Sequence, residues 1–231
     1  MKGGHGTTTA GHSNRVFSTK FVPHDDNMIL SGGWDNTVQI WDIRVQHAVR
    51  SIFGPHIAGD ALDIVDDEII TGSWRPENPL EVWDYKSGKL KNVIPWNQSA
   101  LKSEPCFLYA ATFSPGGDLI AAGGSGANEA KVFDHTRDNA LVGTIAGLSR
   151  GVFTLDFSPN GEQLAVAGAD ATLRIIDVYD SNRKVETERP GTPSIKNAVP
   201  EHQTDPVIRS AMPTSTPTSI PANIMTFHTE E

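Results

Sequence analysis

The residues of this chain that could do chemistry are scattered and do not form a catalytic pattern. No two histidines stand at metal-ligand spacing and there is no HExxH motif, which argues against a zinc site; they are His5, His12, His24, His47, His56, His135, His202 and His228. The carboxylate pairs Asp25-Asp26 and Asp66-Asp67 sit in predicted turns, where Asp commonly bonds its own backbone. We therefore expect no catalytic residue, no metal and no cofactor.

Two further features resemble chemical sites only loosely. Residues 123–126 read Gly-Gly-Ser-Gly, but no GK[ST] and no predicted helix follows, so a turn between strands is a better interpretation than a phosphate cradle. Cys106 is the one cysteine, which excludes an internal disulfide, and it has no basic neighbour in sequence. We expect its thiol to be buried or unreactive.

The charge and composition of the chain limit the classes of partner that it is expected to bind. The net charge of −9 lacks the basic character that non-specific nucleic-acid binding or docking on anionic lipid requires. No apolar run approaches the roughly 20 residues of a membrane helix, and residues 1–10 lack an apolar signal core. The expectation is a cytoplasmic or nuclear protein that binds neither nucleic acid nor membrane.

The elements that position these residues are set by an internal repeat. Each repeat reads as strand, turn and strand, and closes on a bulky residue followed by Asp; the closing pairs are Trp41-Asp42, Trp83-Asp84, Phe133-Asp134 and Ile176-Asp177. The bulky residues are 42, 50 and 43 positions apart. The long interval contains Pro95 to Pro105, which we interpret as a loop insertion.

A second pattern lies upstream of the closing pairs. In three repeats an apolar run ends at Phe and a Pro-containing turn follows, as expected for a strand–turn–strand unit; these residues are Phe21, Phe113 and Phe157. Small residues crowd the second strands, as in Ser31-Gly32-Gly33, and we attribute this to crowding near a common axis. No helical period occurs over 11–187, so the prediction is an all-β fold.

These motifs resemble the WD40 repeat family, whose period is roughly 40–45 residues. The resemblance implies a hydrogen-bonded tetrad in the first repeat; its members are His12, Ser31, Asp35 and Trp41. In the family, the imidazole bridges the carboxylate and the hydroxyl, and the hydroxyl meets the indole N–H. The second repeat keeps His56 and Trp83 without the turn Asp, and the last two lack both His and Trp.

The resemblance predicts a β-propeller segment of four blades, each with four antiparallel strands, at about 11–53, 54–94, 106–146 and 147–189. Propellers usually close with roughly 4–8 blades, so we expect an incomplete or open ring. Three interpretations stay open: the C-terminal part of a larger propeller, closure by a second copy or another propeller half, and a tight four-bladed ring. Residues 1–10 could supply a strand of a missing blade.

The chain changes character near its C-terminal end. Prolines alternate with Thr and Ser over 190–231, a composition that buries too little apolar surface to offset chain entropy. We predict a disordered tail there, with an outer strand of the fourth blade just before it, at 183–187.

Contact candidates come from the repeat alignment. The position four residues before the Phe that ends each first strand holds Phe17, Tyr109 and Phe153, with Asp60 in the second repeat. These aromatic residues are predicted to form either a contact patch on the surface or part of the hydrophobic core. The resemblance also places Trp34, Trp74 and Arg75 in turns of the top face, and Trp and Arg are enriched at binding hot spots.

The predicted function is a non-catalytic protein-interaction scaffold. A sharper alternative comes from Trp41-Asp42-Ile43-Arg44, which resembles the WDxR box of substrate receptors for cullin–RING ubiquitin ligases. That resemblance implies that Asp42 and Arg44 lie on the bottom face, where Arg44 would contact the adaptor. An enzyme built on a propeller is the third and weakest interpretation.

Overall fold

The computed structural model describes residues 11–45, 47–97 and 104–178. Blades 1 and 2 contain β1 (Val16–Val22), β2 (Asp25–Gly33), β3 (Thr37–Asp42), β4 (Ala48–Phe53), β5 (Leu62–Val65), β6 (Glu68–Gly72), β7 (Leu80–Asp84) and β8 (Leu90–Ile94). Blades 3 and 4 contain β9 (Cys106–Phe113), β10 (Leu119–Gly126), β11 (Ala130–Asp134), β12 (Ala140–Ile145), β13 (Val152–Phe157), β14 (Gln163–Gly168) and β15 (Leu173–Asp177). Within these ranges the one helical element is a 3₁₀ turn, His135–Arg137.

Each blade is an antiparallel sheet whose strands pair in sequence order. The closing bulky residue sits at the same register in every blade, opposite an aliphatic residue of the second strand; the pairs are Ile29–Trp41, Ile69–Trp83, Ile120–Phe133 and Leu164–Ile176. The repeat mark read from the sequence is therefore a register mark in the sheet. The predicted all-β fold with WD40-type blades is confirmed.

The blades pack face to face, and the innermost strands β1, β5, β9 and β13 contact one another in chain order. One apolar core joins blades 1 to 3, and it includes Leu30, Leu62 and Phe133. A second core joins blades 3 and 4 through residues such as Leu155 and Leu164. Burial of these sheet faces is the main driving force for the arrangement.

Blade 4, at one end of the row of blades, differs from blades 1 to 3. On the face of blade 4 that points away from blade 3, Leu173 and Ile175 of β15 are exposed. The described part of blade 4 has three strands, β13 to β15. The strand predicted at 183–187, the strand of a missing blade at 1–10 and the disordered tail at 190–231 all lie outside the described residues.

The turns of each blade lie at its two ends, which we call the upper edge and the lower edge; they correspond to the top face and the bottom face of the predicted propeller. The upper edge holds the turn between the second and third strands and the segment that leads into each blade. The lower edge holds the turn between the first and second strands and the turn between the third and fourth. Within the described ranges, no helix is long and apolar enough to cross a membrane.

Three glycines of the second strands have a more local cause than the crowding near a common axis that we expected. At Gly33, Gly124 and Gly168, an added Cβ would lie 2.0–2.2 Å from a backbone carbonyl oxygen near the start of the first strand. The ladder between first and second strands shifts register beside all three positions. The first strand crosses so closely there that only glycine fits.

Replacing Gly124 by Ala should destabilise the fold by about 1–3 kcal/mol, because a fixed backbone carbonyl, that of Phe107, must move to admit the new methyl group. The matched control is Gly143→Ala in β12, where nothing lies within 4 Å of the added Cβ. Urea unfolding should show a lower midpoint for the first variant and an unchanged or higher one for the control. Equal midpoints would contradict this explanation.

Candidate functional site

The four residues of the expected tetrad meet at the upper edge of blade 1. His12 places Nδ1 2.8 Å from Asp35 Oδ2 and Nε2 2.7 Å from Ser31 Oγ. The indole of Trp41 donates Nε1–H to the same Ser31 oxygen at 2.7 Å. The network ties the segment entering the blade to the β2–β3 turn and to β3, and it satisfies polar groups that are largely buried.

Asp35 is the acceptor on which this network converges. Besides His12, the carboxylate accepts hydrogen bonds from the backbone N–H of Ser13 at 2.9 Å and from the hydroxyl of Thr37 at 2.8 Å. Burial alone would raise the pKa of Asp35, but the bonds from Thr37, Ser13 and His12 together lower it below its ordinary value. The folded chain therefore favours the ionised carboxylate.

Blade 2 replaces the tetrad by an ion pair. The indole N–H of Trp83 donates to Thr71 Oγ1 at 3.0 Å, as Trp41 does to Ser31. Arg75 Nη2 lies 2.6 Å from Glu81 Oε1, and its guanidinium also donates to the carbonyls of Gly54 and Asn78. Burial raises the pKa of Glu81, and Arg75 opposes that rise.

Blade 3 has a network that the sequence did not reveal. Trp96, from the predicted loop insertion, is buried and donates Nε1–H to Glu129 at 2.7 Å. Lys131 is also buried; it donates to the Trp96 carbonyl at 2.8 Å and pairs with Glu129 at 2.9 Å. Its ammonium lies 4.8 Å from the Trp96 ring centroid. The sequence signal that could have predicted this network was a tryptophan, Trp96, together with an acidic residue, Glu129, able to accept its indole N–H.

Blade 4 has the simplest arrangement. Asp170 accepts from the backbone N–H of Thr172 at 3.1 Å and from its hydroxyl at 2.8 Å, and it lies 2.9 Å from Arg174 Nη1. In all four blades, therefore, acidic and polar groups lock the turn between the second and third strands. The residue types change from blade to blade, but the task is the same.

Above these networks, aromatic rings form a band that we call the aromatic arc; its members are Phe17, Trp34, His56, Trp74, Phe107, Tyr109 and Phe153. From Phe17 the ring centroids are 5.2 Å to Trp34 and then 6.3 Å on to His56, whose ring is within 12° of parallel to the indole. His56 lies 6.5 Å from Trp74. The first half of the arc thus crosses from blade 1 to blade 2.

The second half continues into blades 3 and 4. Trp74 lies 5.0 Å from Phe107 and donates its indole N–H to the Tyr109 hydroxyl at 2.9 Å. Tyr109 in turn meets Phe153 edge to face at 5.1 Å. Neighbouring rings at these distances and tilts attract one another. The arc is therefore continuous over the upper edges of four blades.

The arc remains accessible, although its members support one another. Trp34 and Trp74 are 37% and 42% exposed, and Phe17 and Phe153 are exposed as well. Tyr109 is half-buried. Of the two interpretations of the repeated aromatic position, the exposure of Phe17 and Phe153 favours a contact patch over part of the core.

Five of the six predicted contact residues fall in the arc; they are Phe17, Trp34, Trp74, Tyr109 and Phe153. Arg75 does not, because its guanidinium is turned to Glu81 and the carbonyls beside it. His56 differs from the expected tetrad histidine: it stacks on Trp34, and its Nδ1 lies 2.7 Å from Asn36 Oδ1. Sequence reasoning missed Phe107, although its spacing of two from Tyr109 places both on one face of β9.

Asp42 and Arg44 lie away from the arc, in the β3–β4 turn at the lower edge. Arg44 donates Nε–H to Asp42 Oδ1 at 2.8 Å and Nη2–H to Oδ2 at 2.7 Å. Through these bonds Arg44 lowers the pKa of Asp42 to about 2. The exposed guanidinium is held in one orientation by its neighbour.

The other chemical candidates are absorbed by the fold. Burial raises the pKa of the Cys106 thiol to about 12, so it stays protonated. A cavity of about 460 Å³ at the lower edge is lined by residues including Lys20 and Asp63. Asp63 accepts there from the hydroxyl of Thr112 at 2.8 Å and from the Phe113 N–H at 2.9 Å. In the described ranges, no cluster of three or more His, Cys, Asp or Glu could hold a metal ion.

Comparison with known families gives an independent result. The model of the WD40 family, described as WD domain, G-beta repeat, matches residues 4–42 and 139–177. Each match ends at a closing pair, Trp41-Asp42 in the first and Ile176-Asp177 in the last. The family predicted from the sequence motifs is confirmed.

Curated relatives are distant and match most of the chain. The chain is 27% identical over 190 residues to "Anaphase-promoting complex subunit cdc20" of Dictyostelium discoideum. That aligned region covers 79% of this chain and 36% of the relative. The chain is 26% identical over 203 residues to "Mitotic checkpoint protein bub-3" of Caenorhabditis elegans, covering 80% of this chain and 56% of the relative. The chain thus spans between about a third and somewhat over half of the length of these relatives.

Replacing Asp35 by Asn should lower the free energy of unfolding by about 1–3 kcal/mol at neutral pH, because hydrogen bonds to a buried carboxylate are lost. The pKa of Asp35 is lower in the folded chain than in the unfolded one, where it is about 3.9. Its contribution is therefore complete above that unfolded-state pKa and is lost as the pH falls through the folded-state pKa.

The measurement is urea unfolding of the natural chain and the variant at neutral pH and at about pH 3. The stability gap between them should narrow at the acid pH. Asp26→Asn, at an exposed position of the lower edge, is the control and should change little at either pH. A gap of the same size at both values would mean that the charge of Asp35 contributes nothing.

Proposed function

Because the chain is a WD40-repeat protein, we propose that it is a non-catalytic protein-interaction scaffold and that the aromatic arc is its contact surface. The observation that carries this proposal is the arc itself: a continuous row of rings in which Trp34 and Trp74 are both more than a third exposed. Exposed Trp is costly in water unless a partner covers it.

The arc also has the rigidity that a binding surface needs. Its rings sit on strand ends and tight turns, and each ring is braced by the next or by a hydrogen bond such as Trp74 to Tyr109. A preorganised aromatic surface loses little side-chain entropy on binding, so more of the interaction energy is retained as affinity. Trp and Tyr are the residue types that dominate binding hot spots.

The relatives agree with this class of function without naming a partner. One of them is named as a subunit of a complex, the anaphase-promoting complex. WD40 proteins are mostly non-enzymatic, and we assign no catalytic role to any residue of this chain. The expected cytoplasmic or nuclear location stays a prediction.

Association with a second copy or with another propeller half also stays a prediction. The exposed Leu173 and Ile175 support it, since an uncovered apolar sheet face favours contact with another sheet. Such contact would use the uncovered face of blade 4 and would leave the aromatic arc at the upper edge accessible.

A second candidate function is the contact of Arg44 with a cullin-ligase adaptor. The observation in its favour is the exposed guanidinium of Arg44, which two hydrogen bonds to Asp42 hold ready at the lower edge. An oriented arginine at an exposed position suits an acidic partner surface.

Replacing Trp34 and Trp74 together by Ala should reduce the recovery of at least one co-purified protein by at least about tenfold, because two hot-spot side chains are lost. The tagged full chain would be cross-linked in cells and its partners quantified by mass spectrometry. The control is Leu90→Ala, an apolar side chain 45% exposed on the outer strand of blade 2. Unchanged recovery with the double variant, at unchanged stability, would refute the arc as contact surface.

For the second candidate, Arg44→Glu should abolish co-purification of a cullin adaptor, because it places a carboxylate beside Asp42. Lys86→Glu is the matched control, since Lys86 is also an exposed cation of the lower edge and pairs with Asp67. Absence of an adaptor from the natural chain, or equal loss in both variants, would count against this role.

A further inference from the structure

The inner side of the aromatic arc carries a negative charge. Asp60 occupies in blade 2 the repeat position that holds Phe17, Tyr109 and Phe153 in the other blades. The Asp60 carboxylate accepts a hydrogen bond at 2.7 Å from the hydroxyl of Ser18, the residue that follows Phe17 in β1. The Asp60 side chain is 58% exposed. Its backbone carbonyl accepts from Ala111 of β9. Asp60 is thus held between the two blades whose rings flank it.

The charge of Asp60 is only partly balanced by its neighbours. Lys20 Nζ lies 3.8 Å from Asp60 and 4.0 Å from Asp63, so one ammonium is shared between two carboxylates. The chain as a whole carries −9. A cation approaching Asp60 is therefore attracted both locally and over longer distance.

The arc already holds a guanidinium. The Cζ atom of Arg15 lies 5.2 Å from the centroid of the Trp34 ring, within the range of a cation–π interaction. Arg15 itself is exposed. An indole of the arc thus accepts a planar cation, and a partner's guanidinium would take the place of Arg15 on Trp34 or stack on Trp74, which is 42% exposed farther along the same row.

We propose that the aromatic arc, with Asp60 as counter-charge, binds an arginine side chain from a segment of a partner protein. This inference rests on the proposed scaffold function and names the chemistry of the partner at that surface. Guanidinium stacks on aromatic faces, is weakly hydrated and donates two parallel hydrogen bonds to a carboxylate. The arc and Asp60 offer both kinds of contact.

A purely apolar partner would fit less well. Covering the arc with apolar side chains would remove water from the Asp60 carboxylate without supplying a new donor, and a carboxylate with one hydrogen bond and a shared ammonium is still costly to desolvate. A partner segment that carries an arginine can cover the rings and also supply a donor to the carboxylate.

The test uses the full chain and two short peptides, acetyl-Gly-Ser-Xaa-Ser-Gly-amide with either arginine or citrulline as the central residue. Citrulline has nearly the shape of arginine without its charge. Binding is followed by NMR from the indole N–H signals of the five tryptophans, with those of Trp34 and Trp74 assigned through Trp→Phe variants. The arginine peptide should shift these two signals and bind at least about tenfold more tightly than the citrulline peptide.

The variant Asp60→Asn tests the counter-charge, because Asn keeps an oxygen for the Ser18 hydroxyl and removes the charge. It should weaken arginine binding by at least about fivefold. Asp66→Asn, which neutralises a carboxylate 84% exposed at the lower edge, is the control and should leave the Kd unchanged. Equal binding of the two peptides, or an unchanged Kd in Asp60→Asn, would overturn the proposal.

These outcomes are separable from failure of the scaffold function. If the Trp34 and Trp74 double variant loses its co-purified proteins while both peptides bind alike, the arc is a contact surface for apolar chemistry and the arginine proposal is wrong. If the double variant keeps every partner, the scaffold proposal fails whatever the peptides do.

Discussion

The structure depends on one interaction: the burial of the apolar faces of each antiparallel sheet against the next sheet. Each blade meets the next across a core of aliphatic and aromatic side chains, with Leu30, Leu62 and Phe133 fully buried. Because the sheets twist, stacking them face to face turns each relative to the last and brings the innermost strands side by side. The upper and lower edges, where the proposed contact surfaces lie, follow from that stacking.

Covering the faces creates a second requirement at the upper edge. The turns between the second and third strands bring polar groups next to the buried faces, and these groups need partners. Blade 1 meets this need with His12 and Asp35, whereas blade 3 uses Lys131 and Glu129 with Trp96. The repeat preserves the position of the polar network more strictly than the residues that form it.

The aromatic arc combines these two requirements. Its rings stand where strands begin and turns close, so the polar networks beneath them fix the backbone that carries them. Trp74, for example, follows a strand of blade 2 and bonds Tyr109 of blade 3. A surface assembled from several blades in this way is rigid without being buried, a combination that suits recognition of another protein.

The sequence by itself determined the blades, because a bulky residue followed by Asp recurs at the same register and turn residues separate the strands. It also identified the tetrad of blade 1 and five members of the arc, since these follow from repeat position and residue type. The tertiary structure alone decided the rest. Arg75 turned to Glu81 because the folding of the turn and strand of blade 2 brings the two side chains together. His56 stacked on Trp34 and Trp96 reached Glu129 because these contacts join residues distant in sequence, whose proximity depends on how segments and blades pack.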